Sequence, residues 1–331
     1  MIIIFAVCCV DSLQGLVSHA RRGVLRKISS QEANEKVSSG EALGFAHLRF
    51  MPKSSSLRPI VNLSKRMKVA GSGCRRLAIN WQLLDLQKVL TYERQRRPGI
   101  VGASVFSLDD IYSAWKSFVD GRRARGDDRP LYFVKVDIEN CYDSIDQNKL
   151  YDIVKTVVQG DYVVRRYVSV VEAGGRLRRT NHRDATCVAD FQPTFVRFVK
   201  ERVEGQRSGG AHHDALFVDQ VLHAHEDAES LLHKLRSHLF HSVVKVGGRY
   251  FVQSQGIAQG SAVSTLLCNI YYGRMEANYI NVDRDSELLM RQVRVQQPYT
   301  FDMLYCCTFF YDFPAAVSVT FAASPCPLPR K

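Results

Sequence analysis

One apolar run in the middle of the chain constrains the fold most strongly. The segment 131–138, LYFVKVDI, is almost continuously apolar, which is typical of a β-strand buried on both faces, and it ends at Asp137. A carboxylate at the end of a buried strand costs free energy unless its charge is compensated, and a divalent cation is one natural compensation. The alternative is that Asp137 only caps the helix that follows.

A glycine-rich turn directly precedes a strong helix. QGIAQGS (255–261) has two glycines, which let the backbone approach a ligand closely. The helix predicted over 261–280 offers free N–H groups to an anion or a base. A simple helix cap explains the same pattern, so the turn alone indicates no function.

Two strand-like runs, 43–53 and 57–63, are joined by three serines and predict a β-hairpin. Lys53 and Arg58 stand at the two sides of its turn. Two cations projecting there could clamp a triphosphate. The alternative is that both are solvated surface charges.

Periodicity predicts further elements. A helix over 107–120 has an apolar stripe and a capping box, a second amphipathic helix covers 146–159, and two strands surround Gly247-Gly248. A long polar insertion, 160–242, carries basic clusters and most of the histidines. Its segment HAHEDAES lacks an HExxH pair, so we interpret it as a solvated helical region and not as a zinc site.

Composition narrows the class of partner. The chain has 45 Lys+Arg against 33 Asp+Glu, a formal charge of +12, which favours a polyanion such as nucleic acid or an anionic membrane face. The apolar start MIIIFAVCCV is too short for a membrane span, and acids and Pro314 interrupt the apolar stretch 299–324, so we expect neither a secretion signal nor a transmembrane helix. Nine cysteines without a CxxC motif indicate reduced thiols and an intracellular protein.

The order and the exact residues of several sequence segments together carry more information than any one segment. The strings are LRFMPK and LRPIVNL, then FVKVDIENCYDSI, then YFVQSQGIAQGS with STLLCNIYYGRME. In this order they resemble the reverse transcriptase domain of the telomerase reverse transcriptases. The similarity covers roughly residues 20–291, and LTYERQRRPGIVGASV and LDDIYSAW resemble that family's linking segments.

The resemblance implies an α+β fold, with polymerase-like fingers over 20–130 and a palm over 131–291 that contains an antiparallel sheet. The insertion 160–242 lies within the palm, and a long insertion at this place is a trait of the family. Residues 1–19 and the divergent tail 292–331 do not resemble the family, so the palm would be incomplete at its C-terminal side. We therefore expect a truncated or alternatively read form.

The resemblance also implies roles for individual residues. Lys53 and Arg58 would contact the phosphates of the incoming nucleotide. Asp137 would be the first catalytic carboxylate and would bind Mg²⁺ beside the Ile138 carbonyl. Tyr142 would lie under the sugar and discriminate against ribonucleotides.

A second set of residues would line the nucleotide and template pocket, namely Gln255, Gly256, Gln259 and Gly260. The family usually has Pro where this chain has Ala258, a change that loosens the turn but removes no chemical group.

The activity implied is that of an RNA-directed DNA polymerase, a nucleotidyltransferase that adds deoxynucleotides to chromosome 3′ ends. Its cofactor would be Mg²⁺. Its partners would be the telomerase RNA template, a telomeric single-stranded DNA primer, deoxynucleoside triphosphates and possible full-length telomerase protein, with no membrane. Its location would be the nucleus, at telomeres.

One part of this chemistry is missing from the sequence. Two-metal phosphoryl transfer needs several carboxylates around a pair of ions. The family supplies an Asp-Asp pair on a hairpin, but here Arg294 and Val295 stand where those acids would be. Neither Asp302 nor Asp312 is expected to complete the site. We therefore expect this chain alone to be inactive or nearly so, and the alternative function is a non-catalytic module that binds template and primer or assembly partners.

Overall fold

The computed structural model describes residues 22–52, 57–68, 75–138, 141–173, 176–190, 194–204, 215–283, 285–293, 301–307 and 319–321. In chain order the strands are β1 Leu25–Ile28, β2 Phe45–Pro52, β3 Leu57–Asn62, β4 Met67–Lys68, β5 Arg75–Arg76, β6 Ser104–Val105, β7 Tyr132–Asp137, β8 Asp161–Ala173, β9 Arg176–Cys187, β10 Ala215–Asp227, β11 Val243–Val246, β12 Arg249–Gln253, β13 Glu287–Val293, β14 Phe301–Cys307 and β15 Val319–Phe321. The α-helices are α1 Ser30–Ser38, α2 Ile79–Gln82, α3 Leu84–Arg96, α4 Leu108–Ala124, α5 Gln147–Val157, α6 Thr194–Glu204, α7 Ala228–Phe240 and α8 Ser264–Tyr279.

The first sheet has the strand order β1-β12-β11-β2-β3. It contains both predicted hairpins, β2–β3 and β11–β12, and only β11 and β2 run parallel. Because β1 pairs with β12 and β2 pairs with β11, this sheet joins segments from both sides of the boundary that we expected at residue 130. The expected α+β class with mainly antiparallel sheets is confirmed.

The second large sheet has the order β15-β7-β14-β13-β6. Its strand β7 is the apolar run that ends at Asp137, and it is paired on both edges, by β14 and by β15. The predicted strand is confirmed; Val134 lies in the main core cluster and Phe133 packs, partly buried, against the cluster of Phe118. Strands β13 and β14 form an antiparallel hairpin that begins at Glu287, as the resemblance implied.

Helices α5 and α8 attach the two sheets to one hydrophobic core. Asp146 caps α5 by accepting from two backbone N–H groups, and the apolar side chains of Leu150, Val154 and Val157 are buried. Helix α8 buries Leu267 in the same core cluster. Both helices agree with the pattern that the sequence predicted.

Helix α4 corrects one expectation. Its capping box of Ser107 and Asp110 is present. The N-terminal part of its predicted apolar stripe, however, is exposed, with 78% of Leu108 and 65% of Tyr112 accessible. The helix buries Phe118 and Val119 instead, because only its C-terminal half packs against the sheet through the cluster with Leu131.

The insertion forms a sheet of its own, and residues such as Tyr162, Val164 and Leu235 join it to the main core cluster. Strands β10, β8 and β9 form a three-stranded antiparallel ribbon, and α6 packs on it through Phe198, which stacks on Tyr167 with 4.7 Å between ring centroids. The HAHEDAES segment begins in strand β10 and enters α7 only at Ala228. Our interpretation of its histidines as part of a solvated helix was therefore wrong for His223 and His225.

Two further expectations concerned transmembrane helices and the state of the cysteines. Among the helices described, none combines the length and the apolar character that crossing a bilayer requires. The cysteines described as free thiols are Cys141, Cys187 and Cys268.

A buried ion pair joins β13 to α8. Arg291 is fully buried, and its guanidinium lies 2.8 Å from Glu276 and donates to the carbonyls of Val101 and Asn269. Glu276 also accepts from the backbone N–H of Ala103 at 2.9 Å. Burial raises the pKa of Glu276 and lowers the pKa of Arg291, since desolvation outweighs the attraction between the two charges.

We expect Arg291→Met to destabilise the fold strongly. The substitution keeps an unbranched apolar stem but removes the guanidinium and leaves the Glu276 charge buried alone, at a cost of about 3–5 kcal/mol in the free energy of unfolding. The matched control is Arg125→Met, because Arg125 pairs with Asp285 at the surface and should lose less than about 1 kcal/mol. Urea unfolding followed by circular dichroism measures both, and equal losses would contradict the assignment.

Acid sensitivity is expected from one buried histidine. His238 in α7 is buried, and desolvation lowers its pKa to about 4 from 6.5. The folded state therefore disfavours the charged form, so stability is complete above pH 6.5 and falls by about 3 kcal/mol as the pH drops toward 4. In His238→Leu this part of the loss should disappear, whereas the exposed His233→Leu should keep it. Superimposable pH profiles of wild type and His238→Leu would show that His238 is not buried neutral.

Candidate functional site

Three distant segments of the chain meet at one place. Strand β3 binds the glycine-rich turn through the Val61 N–H and the Gln259 carbonyl, 2.9 Å apart. On the other side, the Ile257 N–H donates to the Tyr142 carbonyl at 2.9 Å, and the Gly256 N–H donates to the Ile145 carbonyl at 3.0 Å. The hairpin strand, the segment after β7 and the turn are therefore held together by backbone hydrogen bonds.

Two glycines make this approach possible. Gly256 has φ +71°, and a Cβ atom there would lie 2.4 Å from the Tyr142 carbonyl oxygen. Gly260 has φ +109°, and a Cβ atom there would lie 2.4 Å from the Val61 carbonyl oxygen. Each position combines a left-handed backbone with a contact too close for any side chain. Both positions of the turn therefore require glycine.

Side-chain amides hold the turn in place. Gln147 Nε2 donates to the Gly256 carbonyl at 2.9 Å. Asn80 Nδ2 donates to the Gly260 carbonyl at 3.0 Å, and its Oδ1 accepts from the Ala262 N–H at 2.9 Å. The sequence analysis missed both amides. Gln147 follows the cap residue of α5, which is only a weak signal of its role. Asn80 lies 180 residues from Gly260, so the local sequence contains no signal of their contact.

The segment after β7 also connects to α8. The Tyr272 hydroxyl donates to the Cys141 carbonyl at 3.0 Å and lies 3.3 Å from Ser144 Oγ. Burial raises the pKa of Tyr272, so its hydroxyl stays protonated and remains a donor at neutral pH. Helix α8 therefore fixes the position of the residues that follow Asp137.

The predicted site residues can be placed in the fold, with one exception. Asp137 is the last residue of β7 and Ile138 follows it, while Arg58 lies in β3 opposite Met51. Lys53 lies outside the described residues, so its predicted place across the turn stays a prediction. The roles assigned to these residues stay predictions as well.

Tyr142 and the pocket residues differ in exposure. Tyr142 is only 3% exposed and belongs to the main core cluster. Gln255 is exposed, whereas Gln259 is half-buried and its Oε1 has no hydrogen-bond partner within the described residues. A buried acceptor without a donor costs free energy, so Gln259 Oε1 is available to accept a hydrogen bond from an N–H group.

A small cavity lies beside the turn. Its volume is about 20 Å³, and Gln259, Val61 and Asp143 are among its lining residues. Asp143 is a buried carboxylate that the sequence analysis missed, and Arg22 lies 3.8 Å from it. The room is sufficient for about one water molecule, so the turn is nearly closed against β3.

Of the residues considered for the missing carboxylate pair, the structure describes only one. Arg294 and Val295 lie outside the described residues, as does Asp312. Strand β14 pairs with β7 in a register that sets Asp302 directly opposite Asp137. The spacing in the sequence gave no reason to expect this pairing. No cluster of three or more potential metal ligands is found among the residues that the structure describes.

The order of the strands in the two large sheets, the β13–β14 hairpin and the glycine turn held between β3 and the segment after β7 are consistent with a partial polymerase fold of fingers and palm. Solved structures with this fold include telomerase from Candida albicans in complex with a TWJ fragment of telomeric RNA, at 19% identity and TM-score 0.57 over 89% of this chain and 42% of that one. Apo telomerase from Candida tropicalis is similar at 17% identity and TM-score 0.58, over 92% of this chain and 44% of that one.

Sequence comparison is more specific. The telomerase reverse transcriptase of Bos taurus is 39% identical over 285 residues, and that of Mus musculus is 36% identical over 282; each alignment covers 83% of this chain. No family model matches the chain. The chain belongs to the telomerase reverse transcriptase family, and it spans about 25% of the length of these curated relatives.

We expect Gly256→Ala to disrupt the junction. Gly248→Ala is the matched control, because Gly248 has φ +82° but nothing within 4 Å of the added Cβ atom. Both substitutions bear the left-handed backbone cost of about 1–2 kcal/mol, whereas Gly256→Ala should lose about 1–3 kcal/mol more through the clash with Tyr142. Urea unfolding checks this difference, and equal destabilisation would mean that the close contact is absent.

Proposed function

We propose that this chain is the fingers and palm portion of an RNA-directed DNA polymerase, and that alone it binds an RNA–DNA template–primer duplex without extending it efficiently. The observation that carries the proposal is the junction at which β3, the segment after β7 and the turn with Gly256 meet. The junction itself is nearly closed, so we infer that the surface beside it forms the cleft for nucleotide, template and primer. Membership of the telomerase reverse transcriptase family also supports this proposed function.

Within the cleft we assign each residue a binding role. Lys53 and Arg58 bind the nucleotide phosphates, because paired cations suit a triphosphate. Tyr142 supports the sugar from the core side. Gln255, Gly256, Gln259 and Gly260 line the pocket for the base and template, and the buried Oε1 of Gln259 is an acceptor for a base or a backbone N–H.

The residues present fit one magnesium ion better than two. Mg²⁺ is commonly held by one or two carboxylates together with substrate phosphates, and Asp137 with the Ile138 carbonyl matches that need. When bound, the ion would neutralise phosphate charge. A pair of ions needs more carboxylates than the described residues bring together. We therefore derive no catalytic step for this chain.

The wider partners follow from the family. The relatives are named telomerase reverse transcriptases, and one solved neighbour is in complex with a fragment of telomeric RNA. For this chain we propose the same class of partners: a telomerase RNA template, a telomeric single-stranded DNA primer and deoxynucleoside triphosphates. The implied location is the nucleus, at telomeres. A net charge of +12 suits binding to these polyanions.

The second candidate function is a non-catalytic module that competes with full-length telomerase protein for template, primer or assembly partners. The observation that favours it is the sequence at Arg294 and Val295, where the family has two acids. Under this reading the duplex binding persists and the chemistry is lost.

A primer-extension assay beside a binding assay tests the proposal. We expect the purified chain to bind a fluorescent RNA–DNA duplex with an affinity that falls steeply with salt, because phosphate contacts release counterions. Arg58→Ala should weaken the binding of a fluorescent deoxynucleoside triphosphate to the duplex-bound chain, whereas Lys155→Ala, an exposed lysine on α5, should not. With Mg²⁺ and deoxynucleotides, wild type and Asp137→Ala should be equally unable to extend the primer.

Two results would overturn parts of this proposal. Absence of salt-dependent duplex binding would contradict the nucleic-acid cleft. Template-directed extension by wild type that is lost in both Asp137→Ala and Asp302→Asn would contradict inactivity and would make Asp302 a functional substitute for the missing acids.

A further inference from the structure

Two histidines of the insertion stand side by side on a strand. His223 and His225 lie in β10, where side chains two residues apart share a face. Both residues are exposed, and their ring centroids lie 5.3 Å apart with the rings tilted by 80°. A helix would have directed the two rings to different sides, so the pair exists only because this segment is a strand.

The separation of the rings is that of a metal chelate. Two imidazoles that bind one tetrahedral ion through N–metal bonds of about 2.0–2.1 Å have centroids about 5.2 Å apart. The observed 5.3 Å agrees with this value. Binding would therefore need the exposed rings to rotate but no movement of the backbone.

The backbone beside the pair is strained. Val221 has φ +56°, a conformation that β-branched residues rarely adopt, and the pairing of β10 with β8 shifts register between Asp219 and His223. Asp219 Oδ1 accepts from the Val221 N–H at 2.9 Å and stabilises the bulge. Bulges re-aim side chains, and strain of this kind is concentrated at functional sites.

The bulge also fixes one ring. His223 Nδ1 lies 3.3 Å from the Val221 carbonyl oxygen. A carbonyl can only accept, so Nδ1 carries the hydrogen and Nε2 keeps its lone pair. Metal-binding histidines are commonly oriented in this way, by donating the other ring nitrogen to a carbonyl.

The neighbouring strands carry balanced charge. Arg165 on β8 faces His223, and Asp184 on β9 faces Arg165, while Val163 faces His225. One cation and one carboxylate in the same row leave no net charge that would repel a metal ion. Since the described residues contain no group of three or more ligands, water molecules would complete the coordination.

We propose that His223 and His225 form a two-histidine site for a divalent transition-metal ion such as Zn²⁺. Imidazole nitrogen suits zinc and its neighbours in the first transition row, whereas Mg²⁺ takes oxygen ligands. The site is separate from the cleft and does not depend on the function proposed above.

Isothermal titration of the full chain with Zn²⁺ tests this site. Because the chain has other histidines and cysteines, the readout is the difference between variants. We expect His223→Gln and His225→Gln each to weaken one zinc site at least about tenfold, and the double variant to lose no more than either single variant, since one remaining imidazole cannot chelate. His233→Gln, an exposed histidine on α7, is the matched control and should bind as wild type does.

Because both histidines are exposed, neither substitution should disturb the fold, and far-UV circular dichroism of each variant verifies this. A tenfold excess of Mg²⁺ should not displace the zinc. The proposal is overturned if both single variants titrate like wild type and His233→Gln, or if the two losses add independently in the double variant.

Discussion

The junction of β3, the segment after β7 and the glycine-rich turn depends on two places where backbone touches backbone without room for a side chain. At Gly256 the turn lies against Tyr142, and at Gly260 it lies against Val61. These contacts bring together segments that are up to about two hundred residues apart, and the loop-closure entropy of such a junction must be offset by packing elsewhere. The core shared by α5, α8 and both large sheets provides that packing.

Local patterns predicted the elements of this fold well. The strand that ends at Asp137, the two hairpins and the helices around residues 107–120 and 261–280 follow from periodicity and caps, which act over a few residues. The pairing of β1 with β12, and the bridge from Asn80 to Gly260, could not be predicted in this way. They depend on tertiary contacts whose partners leave no mark in the local sequence.

Two local predictions failed for tertiary reasons. Leu108 and Tyr112 have helical spacing, but the sheet reaches only the C-terminal half of α4, so they stay exposed. The HAHEDAES segment has no strong period, and its pairing with β8 makes it a strand. In the candidate site, the two glycines of the turn could be identified from the sequence, whereas Asn80, Gln147 and Asp143 could not; the role of Asp137 stays a prediction. The register that sets Asp302 opposite Asp137 was equally hidden, because it is determined by the hairpin of β13 and β14.

Amide hydrogen exchange at the junction measures its existence most directly. The N–H groups of Val61, Gly256 and Ile257 each donate to a carbonyl of another segment. If these segments form one junction, the three amides should exchange as slowly as that of Leu267 within α8, since their opening requires the core to open. Exchange of Gly256 and Ile257 at the rate of a solvated loop, with Leu267 still protected, would contradict the account.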